Sequence, residues 1–385
     1  MNKERIIPIT HIITDLNVGG AEIMLQKLLR SVDLEHFPSR VISLTDIGPI
    51  GRQMEKSSVR VSALGMKPGK MTPADINHLG RIIKEEPVQV VQTWMYHSDL
   101  LGGLAARKAG IQGIAWNIRN STLDLKKSKA STLLTVGACS LFSHFIPRRI
   151  IVCSEAAARI HRKVGYASGK MRVIPNGFDL SAFKPDPEIR LEFRQKLDLT
   201  AETPVVGLAA RFDEQKDHRT FIKAAGILLK SMPDIHFILC GEGVTSENPV
   251  IKSCVEETVR PEKFHLLGRL NDMAAFHNAC DVGVSSSAYG ESFSNTLGEA
   301  MACGVVCVST NVGGAPEVMG NTGRIVPPRD PDALARGMDE MLSMSPKERE
   351  EMSKAARTRI LQDFDIQKIA SDYMDFWTEL AETSD

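Results

Sequence analysis

Apolar residues return along this chain with two periods. Short runs rich in Val and Ile alternate with longer stretches in which apolar side chains recur every three or four positions, the pattern of strand–helix–strand units laid around a parallel sheet. Strands are expected at 6–13, 40–44, 59–64, 88–92, 113–117, 149–153 and 171–174. Between the first two, residues 21, 24, 25, 28, 29 and 32 are apolar and would share one face of a helix. The pattern breaks at Pro175-Asn-Gly-Phe-Asp179 and again at Lys184-Pro-Asp-Pro187, where a charged run follows. It then restarts, with strands expected at 205–210, 235–240, 263–267, 282–285 and 305–309. From about Pro331 the chain reads as helices, and the last, 366–381, carries Tyr373, Phe376 and Trp377 as a docking stripe. The fold class is therefore α/β, with two doubly wound, Rossmann-like domains at 1–180 and 181–365 and a final helix at 366–385. Sheets of this kind bind ligands beyond the carboxyl ends of their strands, so two such domains facing across a cleft would hold a ligand there.

The 385 residues, 43% hydrophobic, suffice for two domains of ordinary size, each with its own core. Lys and Arg number 47, as do Asp and Glu, so no overall field draws a nucleic acid and any anion site must be local. The seven cysteines (139, 153, 240, 254, 280, 303 and 307) form no CxxC pair and read as reduced thiols of a cytoplasmic protein. Met1-Asn-Lys-Glu-Arg5 leads into a strand-like run with no small-residue cleavage site, and no window holds the ~18 uninterrupted apolar residues of a membrane span.

Candidate chemistry centres on Glu291-Ser-Phe-Ser-Asn-Thr-Leu-Gly-Glu299, two carboxylates flanking a small-polar loop that enters a helix near Asn295 or Thr296. The first N–H groups of such a helix lack intrahelical partners and favour an anion such as a diphosphate, while a carboxylate one turn in can accept from the paired hydroxyls of a ribose. Thr296-Leu-Gly-Glu299 also matches a capping box, in which Glu299 would only bond back to the backbone. Both readings stand on this segment alone.

Other residues fall at the ends of expected strands. Gly19 and Gly20 open the first helix and would let a ligand approach the backbone closely, although an ordinary tight turn explains them as well and no GxGxxG fingerprint is present. Arg211 and Lys216 follow the strand at 205–210, with Asp217 placed to cap the next helix; two cations there could neutralise a diphosphate, or simply be solvated. Glu242, between two glycines, and Arg269 after Gly268 close the next two strands. Arg211, Lys216, Glu242, Arg269 and the 291–299 segment, with Ser294, would converge on one rim of the second sheet.

The order Gly19-Gly-Ala-Glu22, Ile174-Pro-Asn-Gly177, Arg211 with Lys216, Gly241-Glu-Gly243 and Glu291-x7-Glu299 resembles the retaining glycosyltransferases of family 4, over nearly the whole chain. The resemblance implies a GT-B fold with an N-terminal acceptor domain, a C-terminal donor domain and a last helix returning to the first domain. It implies a hexosyltransferase that moves a sugar from a nucleoside-diphosphate sugar, as co-substrate, to a glycan or lipid-linked hydroxyl in polysaccharide, lipopolysaccharide or other glycoconjugate assembly. No metal or other cofactor is implied. Glu299 would hold the ribose; the backbone near Ser294, Asn295 and Thr296 would meet the diphosphate; Arg211 and Lys216 would stabilise the leaving phosphates. Glu291 would touch the donor sugar, and Gly20 would lie near the diphosphate from the opposite domain. Asn176 lies in the matched Ile174-Pro-Asn-Gly177 element and joins the substrate-binding set.

Two departures from the family pattern stand out. Arg119 occupies the place of a histidine usual after the fifth strand, and His97, in Thr93-Trp-Met-Tyr-His97, could take over part of its role or pack against Trp94 and Tyr96. Val305 replaces a proline that often follows the glycine. On the acceptor side, Lys126-Lys-Ser-Lys129, the apolar stretch 133–146 and Arg148-Arg149 form either a core-packed helix with polar flanks or a peripheral contact of the N-terminal domain with the inner face of a membrane. A GT-B phosphorylase, which would require a cofactor lysine, an epimerase, and a non-catalytic nucleotide-sugar-binding protein remain alternatives.

Overall fold

The structure is a computed structural model that describes residues 5–57, 59–67, 72–120 and 130–382. It divides into two compact units, Met1–Gly177 with Ile366–Asp385, and Phe178–Asp365. The division falls at 177/178, inside the Pro175–Asp179 break.

In the first unit seven strands, β1 (Ile9–Ile13), β2 (Ser39–Ser43), β3 (Arg60–Ala63), β4 (Val90–Trp94), β5 (Gly113–Ile118), β6 (Arg149–Val152) and β7 (Met171–Val173), form one sheet in the order β3-β2-β1-β4-β5-β6-β7. Every pairing is parallel. Helices cover both faces, so β1, β4 and β5 are buried at every position, polar Thr10, His11, Gln92, Thr93 and Asn117 included, and show no apolar–polar alternation.

The last helix, Ile366–Glu382, belongs to this unit. It buries Tyr373, Phe376, Trp377 and Leu380 in the core that also holds Leu25, Leu28 and Trp94. Trp377 donates its indole N–H to Gln92 at 2.6 Å, and Tyr373 stacks on Trp94 at 6.3 Å between ring centroids. Each aromatic ring so buried stabilises the unit by roughly 1.5–3 kcal/mol, so the docking stripe is an integral part of the core.

The second unit carries β8 (Val205–Ala209), β9 (His236–Cys240), β10 (Phe264–Leu266), β11 (Val282–Ser285), β12 (Val306–Thr310) and β13 (Gly323–Val326), again all parallel, in the order β10-β9-β8-β11-β12-β13. The sequence pattern did not predict β13. It is four residues long, lies at the sheet edge and is only partly buried, so its apolar signal is weak.

Each sheet reverses its strand order once, between β1 and β4 in the first unit and between β8 and β11 in the second. At such a switch point the loops leaving the two strands run to opposite faces and open a crevice. Gly19, Gly20 and His97 lie at the first of these places, and Arg211, Lys216 and the 291–299 segment at the second.

Candidate active site

In the second unit, the loops that follow β8 and β11 are stitched together by hydrogen bonds. Ala288 N donates to Gln215 O at 2.7 Å, Gln215 Nε2 to Gly290 O at 2.9 Å, and Ser286 Oγ to Lys216 O at 2.7 Å. These bonds carry Lys216 to Glu291: Nζ lies 2.5 Å from Glu291 Oε2, and Ser287 Oγ donates to the same oxygen at 2.8 Å. The pair is largely withdrawn from water, with side chains 21% and 8% exposed. Asp217 caps the next helix, His218–Leu228, by accepting from Thr220 N at 3.2 Å.

Gly313 makes the close packing around Glu291 feasible. Its φ is +56°, and a Cβ there would lie 1.5 Å from Glu291 O. The neighbouring Gly314 N donates to that oxygen at 2.9 Å. Arg211 is different in kind, because its side chain is 59% exposed and, among the described residues, is paired with Asp213 at 3.6 Å. A guanidinium in that state can turn to a ligand at little cost.

The helix that follows runs Asn295–Ala302, with Ser294 at the N-cap position and no side-chain hydrogen bond from the cap. Thr296 is therefore the second helical residue and not the cap, so the Thr296–Glu299 capping box does not form. A local pattern allowed either register; the tertiary setting of the buried Ser292 and Ser294 chose the earlier start. Glu299 points instead toward the interior, 13% exposed, with Oε2 3.6 Å from His277 Nε2. The thiols of Cys240 and Cys303 are each pushed up to about 12, by burial first and then by the Glu299 charge.

Glu242 and Arg269 are exposed on the loops after β9 and β10. Those loops are tied to the one after β8 through Phe212 N to Glu242 O at 2.7 Å and Gly241 N to Gly268 O at 2.8 Å. Strands lie ~4.8 Å apart, so Arg269 is about 10 Å along the rim from the end of β8. Lys216, Glu291, Ser294, Asn295, Thr296 and Glu299 form the centre; Arg211 and Glu242 flank it, and Arg269 lies farthest out.

In the first unit, Gly19 is the N-cap of the helix Gly20–Ser31, in extended conformation. Glu22 folds back over it, and a Cβ on Gly19 would lie 2.3 Å from Glu22 Oε2. The Glu22 carboxyl is pushed up to about 7, chiefly by burial, against the pull of its own backbone N–H and with a further push from Asp15. The loops after β1 and β4 meet through Thr14 Oγ1 and Ser98 Oγ, 3.0 Å apart. Met95, between β4 and the helix Tyr96–Lys108, has φ +72° and ψ 159°, a conformation that costs a non-glycine residue about 1–3 kcal/mol and recurs at functional turns. His97 follows it, half-buried, its imidazole lowered by that burial. Trp94 pairs with the rings of His11 and Tyr373, and Tyr96 with His161, so other rings fill the packing places considered for His97.

Arg119 is engaged inside the unit. Nε donates to Asn117 Oδ1 at 2.8 Å, the two terminal nitrogens donate to Asn176 Oδ1 and to the Tyr373 hydroxyl, and the guanidinium lies over Trp94 at 5.2 Å. Arg119 and Asn176 thus fasten the Pro175 turn and the last helix to β5. Sequence reasoning could not find this network, whose members are up to 256 residues apart. Of the acceptor-side stretch, Lys126-Lys-Ser-Lys129 lies outside the described residues. The helix Ala130–Phe142 buries Val136 and Cys139 while Leu134, Leu141 and the following Phe145 are 76%, 62% and 68% exposed.

Two doubly wound units, the second with a lysine–carboxylate pair beside a helix start at its switch point, are the architecture of a GT-B glycosyltransferase. Comparison with known proteins agrees. The family described as Glycosyltransferase Family 4 matches residues 18–182, and that described as Glycosyl transferases group 1 matches residues 189–359. The chain belongs to the group 1 glycosyltransferases, and glycosyltransfer is its activity.

Among relatives, the UDP-Gal:alpha-D-GlcNAc-diphosphoundecaprenol alpha-1,3-galactosyltransferase of Escherichia coli is 26% identical over 313 residues, 78% of each chain. The GDP-mannose-dependent monoacylated alpha-(1-6)-phosphatidylinositol monomannoside mannosyltransferase of Corynebacterium glutamicum is 30% identical over 197 residues, 49% of this chain and 50% of that one. HepE of Anabaena, solved in complex with UDP, superposes with a TM-score of 0.85 at 20% identity, covering 97% of this chain and all of that one (100%).

Proposed function

We propose that this glycosyltransferase is a retaining, metal-independent hexosyltransferase that takes its sugar from a nucleoside diphosphate. The observation that carries the reading is the buried Lys216–Glu291 pair at the β8/β11 switch point, directly before the start of the helix Asn295–Ala302. A diphosphate placed at that helix start would meet the positive end of the helix dipole together with Arg211 and Lys216. The Lys216 ammonium has three donors, so it can hold Glu291 and a phosphate oxygen at once.

In the step itself the bond from the sugar's anomeric carbon to the diphosphate oxygen breaks, and its electron pair stays on that oxygen. Arg211, Lys216 and the helix start stabilise the charge as it develops, which is where preorganised cations lower a barrier most. The acceptor hydroxyl attacks from the face the diphosphate is leaving, gives its proton to the departing phosphate oxygen, and the anomeric configuration is kept. Those cations supply the charge that a divalent ion supplies in other transferases. Glu299 receives the ribose hydroxyls and Glu291 bounds the sugar. Gly19, Gly20 and His97 line the crevice of the first unit, and Arg119 and Asn176 hold its shape. The galactosyltransferase, mannosyltransferase and HepE comparisons support a nucleotide-sugar donor; the relatives differ between UDP and GDP, so the base is a matter for assay.

The acceptor reading is a lipid-linked or glycan hydroxyl at the inner face of a membrane, in polysaccharide, lipopolysaccharide or related assembly. Among the described residues no helix is long and apolar enough to cross a membrane. Leu134 and Leu141, two turns apart, and Phe145 give one exposed apolar side, and no acidic residue occurs from 125 to 154. Vesicles containing anionic lipid should float the protein, and replacement of Leu134, Leu141 and Phe145 by Gln should abolish flotation without loss of donor binding; unchanged flotation would remove this part of the reading. The retaining assignment is tested by NMR of the first product formed from an α-linked donor, where a β-linked product would refute it.

A further inference from the structure

His277 lies at the last turn of the helix Met273–Ala279, 3% exposed, in the second unit. Among the described residues its buried Nε2 has no hydrogen-bond partner, and it lies 3.6 Å from Glu299 Oε2. A buried ring nitrogen with no partner costs about 1–3 kcal/mol, so it calls for a reason. The ring is held from two sides, edge-on to Phe276 at 5.5 Å and tilted against Phe183 at 6.3 Å between centroids. It borders a small cavity under the first turn of Asn295–Ala302, lined also by Ala209, Thr296, Leu297 and Ala300. The imidazole is thus fixed in aim, with Glu299 the charged group in front of it.

We propose that His277 is a positioning residue: it donates from Nε2 to the Glu299 carboxylate and turns the other carboxylate oxygen toward the nucleoside's ribose hydroxyls. The inference rests on the reading of Glu299 as the ribose acceptor. At 3.6 Å the contact is just longer than a hydrogen bond, and bonds of this kind commonly close when a ligand settles. Fixing the rotamer of Glu299 in advance spares the ligand that ordering cost, so the effect should appear in recognition of the two hydroxyls rather than in diphosphate binding. A histidine in a short, mostly apolar helix reads from sequence as core packing, which is why the sequence pattern does not flag it.

The test measures dissociation constants of the full chain for UDP and GDP and for their 2′,3′-dideoxy counterparts. Wild type should prefer the ribose form, and Glu299→Ala should erase that preference; if wild type shows none, the reading of Glu299 itself fails. Given that preference, His277→Phe and His277→Leu, which keep bulk but cannot donate, should reduce it about fivefold to tenfold while leaving dideoxy binding within twofold. His277→Gln, whose amide nitrogen can reach the same place, should restore part of it. Full preference in the Phe or Leu variant, or equal weakening of both ligand forms, would overturn the proposal and leave Glu299's role standing.

Discussion

The two switch points are built from opposite materials. The one in the second unit is a charged site: Lys216 and Glu291 are pressed together, and Arg211 stands exposed at its edge. The one in the first unit is shaped by backbone and packing, with a glycine turn, a strained Met95, and an arginine whose nitrogens are occupied by Asn117, Asn176 and Tyr373. In the proposed function the same topology serves two tasks. A site for a diphosphate needs fixed cations, whereas a site for a neutral hydroxyl needs shape and a few polar groups.

If packing governs the first unit, its stability should depend most on the last helix. Trp377→Ala should cost about 3–5 kcal/mol in chemical denaturation, through the cavity left among His11, Tyr373 and Phe37. A loss below about 1 kcal/mol would show that the helix merely rests there. Lys216→Ala should destabilise by a similar or slightly smaller amount, about 3 kcal/mol, because it strands the buried Glu291 charge, and it should also lower turnover by about 10²-fold to 10³-fold.

Arg211→Ala sharpens the contrast between structure and chemistry. Being exposed, it should change stability by no more than about 0.5 kcal/mol while lowering turnover about 10²-fold; destabilisation by several kcal/mol would mean the residue is structural. A pH-dependent contrast comes from Asp99, fully buried next to β4 and accepting from Thr93 Oγ1 at 2.5 Å and Asn117 N at 3.3 Å. Burial pushes its carboxyl from 3.8 up to about 7. The folded state therefore holds a proton that the unfolded state releases above pH ~4, and the associated stability falls as pH rises from about 4 to about 7, by at most about 1.4 kcal/mol per pH unit. Asp99→Asn should flatten the stability profile over that window, and an unchanged slope would refute the assignment.

Much of this was legible in the chain because fully buried parallel strands are written as mostly apolar, β-branched runs. The apolar pattern starts the first strand at 6, three residues before Ile9, and brackets the helix start at Asn295. What was not legible depended on distant partners. The Thr296–Glu299 capping box failed because only the packing of the loop decides which small polar residue is the cap. Arg119 read as a substrate contact, since its link to Tyr373 spans 254 positions. His277 gave no signal, because its meaning comes from Glu299, brought near by the crossing from β11 to the next helix. Local periodicity reports burial well and pairing poorly.

The central claim is that the β8/β11 switch point holds a nucleoside diphosphate. Calorimetric titration of the full chain with UDP-, GDP- and ADP-sugars tests it most directly. At least one donor should bind with one-to-one stoichiometry, and Glu299→Ala should weaken it at least tenfold, ~1.4 kcal/mol, without unfolding the protein. Absence of binding by every donor, or equal affinity in Glu299→Ala and wild type, would contradict the account.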